Sequence, residues 1–177
     1  MQGDFPRKFG PYELLRSLGR GGMAEVYLAQ AASQKGDQRL VALKRMHAGV
    51  SEDHGAVEML LAEAQLAMRF DHPNIAAVFE LGCHDESYYF LMEYVDGLDV
   101  GSMQNMVEAM GTRMDPRAAA RVCAKVARGL HYAHTLHDDL GRKLGVVHRD
   151  VSPQNVLINR RGEVKLIDFG VAKVATR

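Results

Sequence analysis

The sequence predicts an α+β fold in two parts: an antiparallel β-sheet with one long helix, then a mostly helical region that ends in a β-hairpin. Three observations predict it. Short apolar runs separated by glycine-rich or polar turns open the chain. The apolar period then becomes helical over residues 56–70, and a second helical face runs through Val122, Val126, Leu130 and Ala133. Taken in order, residues 12–15 read as an opening strand, 26–29 as its partner and 40–44 as a third. Val57, Leu60, Leu61, Ala64 and Met68 follow at helical spacing until Asp71-His72-Pro73-Asn74 stops the helix. Residues 88–94 form a strand that ends in the turn Asp96-Gly97. Asp115-Pro116 supplies an N-cap and a first-turn proline for the second long helix. Residues 156–158 and 164–167 pair as a hairpin around Arg160-Arg161-Gly162-Glu163.

Composition narrows the function classes. At 47% hydrophobic and 25% charged residues, the 177-residue chain has the balance of a soluble globular protein. Its 22 lysines and arginines equal its 22 aspartates and glutamates, so the basic excess of a nucleic-acid binder is missing. Cys83 and Cys123 lie far apart without metal-ligand spacing, which fits free thiols in a reducing cytoplasm. Residues 1–11 lack a signal-peptide core, and no apolar run reaches the ~20 residues needed to span a bilayer. A cytoplasmic segment is expected; nothing specifies an oligomeric state.

The chemistry concentrates in three places. Gly19-Arg20-Gly21-Gly22-Met23 lies between two predicted strands, where glycines let backbone amides approach phosphate oxygens. A strand follows, so this is neither a P-loop nor a dinucleotide-binding turn. Lys44 sits inside an apolar strand and needs an anionic partner to offset its desolvation; Glu63, among apolar neighbours on the following helix, is the natural one. Finally, His148-Arg149-Asp150-Val151-Ser152-Pro153-Gln154-Asn155 places a candidate base and a metal-binding amide five residues apart, and Asp168-Phe169-Gly170 follows a short strand later.

In this order, with Met92-Glu93-Tyr94-Val95 between them, these segments resemble the eukaryotic-like bacterial Ser/Thr protein kinases, from Tyr12 to Lys173. The resemblance implies a protein-kinase-like fold with an N-terminal extension (1–11), an N-lobe (12–94) and a partial C-lobe (95–177). It implies ATP and Mg²⁺ as cofactors and protein serine or threonine hydroxyls as acceptors. Asp150 would take the hydroxyl proton, Asn155 and Asp168 would hold Mg²⁺, and Lys44, fixed by Glu63, would bind the α- and β-phosphates. Adenine would lie against Leu18, Val26, Ala42 and Leu157, with Met92 behind it and backbone groups of Glu93 and Val95 at its edge. Asp99 is a candidate for the ribose. His148 and Phe169 would brace the two catalytic segments.

Three departures qualify the resemblance. Ala24 replaces the usual third glycine, at small expected cost. Ser152 stands where lysine is usual, and losing a hydrogen bond to a charged group is worth ~1.5–3 kcal/mol, roughly ten- to a hundredfold in rate. Only seven residues follow Gly170, so the activation segment, the Ala-Pro-Glu motif and the substrate-binding helices are expected to be absent, and with them a phosphorylated partner for Arg149. An ATP-binding interaction module without efficient catalysis, or a small-molecule phosphotransferase, therefore stays open as an alternative.

Two further patterns read as structural. His131, His134 and His137 suggest a metal site, but the third turns off the shared helical face, so residues 136–144 read as a polar surface loop. Met103, Met106 and Met110 are spaced as core filler.

Overall fold

The computed structural model describes residues 5–22, 24–32, 38–47 and 54–169. The chain divides into two compact units, one built on Met1–Arg69 and Ala77–Tyr94, the other on Phe70–Ala76 and Val95–Lys173. Among the described residues no helix is long and apolar enough to cross a membrane.

The first unit is a six-stranded antiparallel sheet with one helix. Its strands are β1 (Arg7–Phe9), β2 (Tyr12–Arg20), β3 (Ala24–Ala32), β4 (Gln38–Met46), β5 (Val78–His84) and β6 (Ser87–Glu93), in the order β1-β2-β3-β4-β6-β5. Strand alternation sorts its residues between two faces. One face packs Tyr12, Leu14, Tyr27, Ala29, Val41, Leu43, Tyr89 and Leu91 into a core closed by Phe9. Within that core the Tyr12 and Tyr89 hydroxyls donate to the two oxygens of Glu80, at 2.9 and 2.7 Å, so both phenols are satisfied by one carboxylate. The other face carries Val26, Ala42, Lys44 and Met92. Helix α1 (His54–Ala67) buries Leu60, Ala64 and Ala67 but leaves Leu61 exposed, and Met68 lies exposed just beyond its end, so the apolar stripe is narrower than the periodicity predicts.

The second unit holds α2 (Val100–Ala109), α3 (Pro116–His134) and a three-stranded sheet of β7 (Gly97–Asp99), β8 (Val156–Asn159) and β9 (Val164–Leu166). Asp115 caps α3 by accepting the Arg117 N–H at 2.9 Å, with Pro116 in the first turn. Val126 of α3 packs with Val100, Val156, Val164 and Leu166, and Val122 and Leu130 lie against the same cluster. Segment 70–76 runs beside β9: Ala76 N–H donates to the Leu166 carbonyl and Leu166 N–H to the Asn74 carbonyl.

Two expectations are corrected here. The methionine row is not core filler, since only Val100 and Gly101 of α2 are buried, Met103 is half-buried, and Met106 and the C-cap Met110 are 51% and 75% exposed. Gly97 opens a strand and not merely a turn, because β7 approaches β8 so closely that a Cβ there would lie 1.9 Å from the Ile158 carbonyl oxygen. Gly97→Ala is therefore expected to force β7 and β8 apart and to destabilise the protein by about 1–3 kcal/mol. Thermal denaturation would read this as a fall of roughly 2–4 °C per kcal/mol for a chain of this size.

Candidate active site

In the first unit, the register aligns Gly19 with Val26 and Val26 with Lys44, and Lys44 with Phe90 across the next strand pair. Ala42 pairs with Leu28 on one side and Met92 on the other. The glycine turn, the lysine and the small apolar residues thus fall on the sheet face opposite the aromatic core. Lys44 is 7% exposed, so its ammonium is held where an anionic partner counts most. The loop's arms are tied at its base: Arg20 pairs with Glu25, and the Tyr27 hydroxyl donates to the same carboxylate. That hydroxyl, ahead of the Arg20 charge, holds the Glu25 carboxyl below its usual range. At the tip, Gly21 N–H donates to the Ala24 carbonyl at 2.8 Å, and a His47 ring N–H donates to the Gly21 carbonyl at 3.2 Å. A Cβ at Gly19 or Gly22 would meet nothing within 4 Å, so both keep their backbone open. Leu18 is partly exposed and Ala42 buried. Glu93 N–H donates to the Ala77 carbonyl at 2.8 Å. Met23, Gly170 and the Glu63 side chain lie outside the described residues, although Glu63 falls within α1.

In the second unit, the candidate catalytic loop is built around His148. This side chain is 1% exposed; its Nε2–H donates to the Ile167 carbonyl at 2.9 Å, and its Nδ1 accepts the Asp150 N–H at 3.2 Å. Those two bonds need the neutral ring with its proton on Nε2. Burial pushes the imidazole below its ordinary pKa, against the upward pull of the Ile167 carbonyl and the charges of Asp150 and Asp168. The His148 ring also packs on Phe169 at 4.6 Å, and Phe169 on Phe70 at 4.8 Å. Asn155 Nδ2 donates to the Asp150 carbonyl at 2.9 Å and to Asp150 Oδ2 at 3.2 Å, and the Asn155 carbonyl accepts the Ile167 N–H at 2.9 Å. Asn155 therefore orients the candidate base with its side-chain amide and, through its backbone carbonyl, ties the loop to the segment that carries Asp168.

With Nδ2 committed to Asp150, Asn155 is left with Oδ1, a hard oxygen that together with the Asp168 carboxylate suits Mg²⁺. Arg149 and Asp168 have φ of 64° and 57°, each at a cost on the order of 1–3 kcal/mol for a non-glycine residue. Left-handed backbone at both positions turns the chain sharply beside His148 and Phe169, whose packing holds it there. Asp99 caps α2 and accepts both N–H and hydroxyl bonds from Ser102, so its carboxylate is already engaged. Val95 is buried and Leu157 half-buried on β8.

One contribution escaped sequence reasoning. Asn74, read only as part of a helix stop, is buried and donates from Nδ2 to the Val164 carbonyl at 2.9 Å, pinning β9. The brace expected of His148 and Phe169 is present, as the two hydrogen bonds of the imidazole and its packing on Phe169.

The protein kinase domain family matches residues 12–177. The chain belongs to the protein kinase domain family. Among curated relatives of this kinase domain, tyrosine-protein kinase MasK of Myxococcus xanthus is 40% identical over 96% of the chain, which covers 26% of that protein. Serine/threonine-protein kinase PrkC of Bacillus subtilis is 35% identical over 92% of the chain and 23% of that protein. The kinase domain of PknI from Mycobacterium tuberculosis superposes with a TM-score of 0.74 at 31% identity, covering 94% of this chain and 62% of that one. The kinase domain described here thus spans about a quarter of the length of its curated relatives.

Proposed function

We propose that this chain carries the nucleotide-binding and catalytic-loop portion of a protein kinase that transfers the γ-phosphate of Mg-ATP to serine or threonine hydroxyls of a protein. The observation that supports the reading is the Asp150–Asn155 pair, in which the Asn155 amide orients the carboxylate proposed as the base. Asp150 accepts the proton of the acceptor hydroxyl, and its alignment matters more than its basicity, because phosphoryl transfer depends on positioning and charge neutralisation. Lys44, with Glu63 as its proposed partner, anchors the α- and β-phosphates, and the glycine loop approaches them through the amides of Gly19, Arg20 and Gly22, the Gly21 N–H being held by the Ala24 carbonyl. Leu18, Val26, Ala42 and Leu157 flank the adenine, Met92 backs it, and the Glu93 carbonyl and Val95 backbone meet its edge; Asp99 reaches the ribose only if its capping bonds are shared. Mg²⁺, held by Asn155 and Asp168, would supply charge neutralisation at the phosphates. The set Lys44, Asp150, Asn155 and Asp168 is complete, which gives no support to a non-catalytic module. Free thiols at Cys83 and Cys123 fit a cytoplasmic site of action.

Tyrosine as acceptor is the second reading, favoured by the name of the MasK relative. Phosphoamino-acid analysis of a mixed protein acceptor after incubation with labelled ATP separates the two. Label on serine or threonine is expected; label confined to tyrosine would reverse the assignment.

A further inference from the structure

We propose that the outward face of α3, together with the β8–β9 turn, is a docking surface for an extended segment of a substrate protein with acidic residues at alternate positions. At 3.6 residues per turn, Arg117, Arg121, Lys125 and Arg128 fall within an arc of about 80°, turned away from the buried Val126, Gly129 and Ala133. The helix contains no aspartate or glutamate, so this face carries four cations and no internal counter-charge. Among the described residues, Arg117, Arg121 and Arg128 form no ion pair. Arg160 of the β8–β9 turn does, with Asp96.

The patch extends beyond the helix. Lys125 Nζ donates to the Gly162 carbonyl at 3.4 Å, which brings the turn and its exposed Arg161 alongside the stripe. One turn further on, Tyr132 stacks on His72 at 5.1 Å. Arg128 and Lys165 both act on that imidazole, adding to the burial that lowers its pKa, so positive charge converges here from α3 and β9.

Spacing and chemistry select the partner. Arg117, Arg121 and Lys125 succeed one another every four residues, about 6 Å along the helix axis. Alternate residues of an extended strand repeat at about 6.6 Å, so carboxylates at every second position meet successive cations. Guanidinium forks suit carboxylates. A membrane surface fits less well, because α3 exposes no large apolar side chain to insert. Nucleic acid fits less well because the chain has zero net charge. The docking surface rests on the kinase reading only for the identity of the partner as a substrate.

The test is fluorescence anisotropy on the whole chain without nucleotide, with a labelled peptide of about eight residues alternating glutamate and serine and a glutamine–serine control. Saturable binding of the glutamate peptide alone is expected, and it should weaken as salt shortens the Debye length. Arg121→Glu/Arg128→Glu should weaken it about tenfold or more, whereas Lys8→Glu/Lys143→Glu, the same change in net charge, should not. Circular dichroism melting checks folding, and Arg121→Gln/Arg128→Gln serves if the reversal does not fold. Equal weakening in both pairs, no weakening in either, or binding of phosphatidylserine vesicles without binding of the peptide would overturn the proposal. Because no nucleotide is present, failure of phosphoryl transfer would leave this result intact.

Discussion

Asp150→Asn is expected to slow phosphoryl transfer by about 10²–10⁴-fold at saturating Mg-ATP, with nucleotide affinity and thermal stability close to those of the parent. The substitution is isosteric, and an asparagine oxygen at this position still accepts from Asn155 Nδ2, the bond that now reaches Asp150 Oδ2 at 3.2 Å. The Asp150 N–H bond to His148 Nδ1 belongs to the backbone and survives as well. What is lost is the ability to take a proton. Single-turnover kinetics, which separates chemistry from binding and release, should place the loss in the chemical step.

Lys44→Met is expected to act on affinity. Lys44 is buried on β4, between Val26 and Phe90 in the strand register, and methionine fills a similar volume without a charge. Losing a charged donor to phosphate costs about 1.5–3 kcal/mol, or roughly ten- to more than a hundredfold in nucleotide affinity. With Glu63 as the partner of Lys44, the substitution also leaves a carboxylate without its counter-charge, so stability should fall as well. Calorimetric titration with Mg-ATP beside a thermal melt checks both halves: weaker binding and a lowered melting temperature. The contrast between the variants, rate for Asp150 and affinity for Lys44, tests the roles more sharply than loss of activity in either.

Much of the fold was legible because its determinants are local. The alternation around Lys44 placed β4, the Asp115-Pro116 pair placed the start of α3, and the apolar runs on either side of Arg160-Arg161-Gly162-Glu163 placed the β8–β9 hairpin. The candidate catalytic segments stand out in the sequence because their residue types are unusual together: a lysine within an apolar strand, an aspartate and an amide on one loop, and a second aspartate after a strand. What escaped depends on contacts between distant residues. Strand β7 exists because Gly97 fits under Ile158, some sixty positions along the chain. The polar Asn74 side chain gains its role only from the Val164 carbonyl. The left-handed backbone of Arg149 and Asp168 contradicts local preference and follows from packing around His148 and Phe169. Strain of this kind at a site is the case in which local rules fail for a functional reason. The α2 methionines failed for a simpler one: spacing marks a face but not whether anything covers it.

The most direct test of the central claim is transfer of label from γ-labelled ATP to a protein acceptor, measured for the parent chain and Asp150→Asn side by side, with and without Mg²⁺. Magnesium-dependent label on serine or threonine that is nearly abolished in the variant is the predicted result. Undiminished transfer by Asp150→Asn would contradict the assignment of Asp150 as the base, and with it the mechanism built on the Asp150–Asn155 pair.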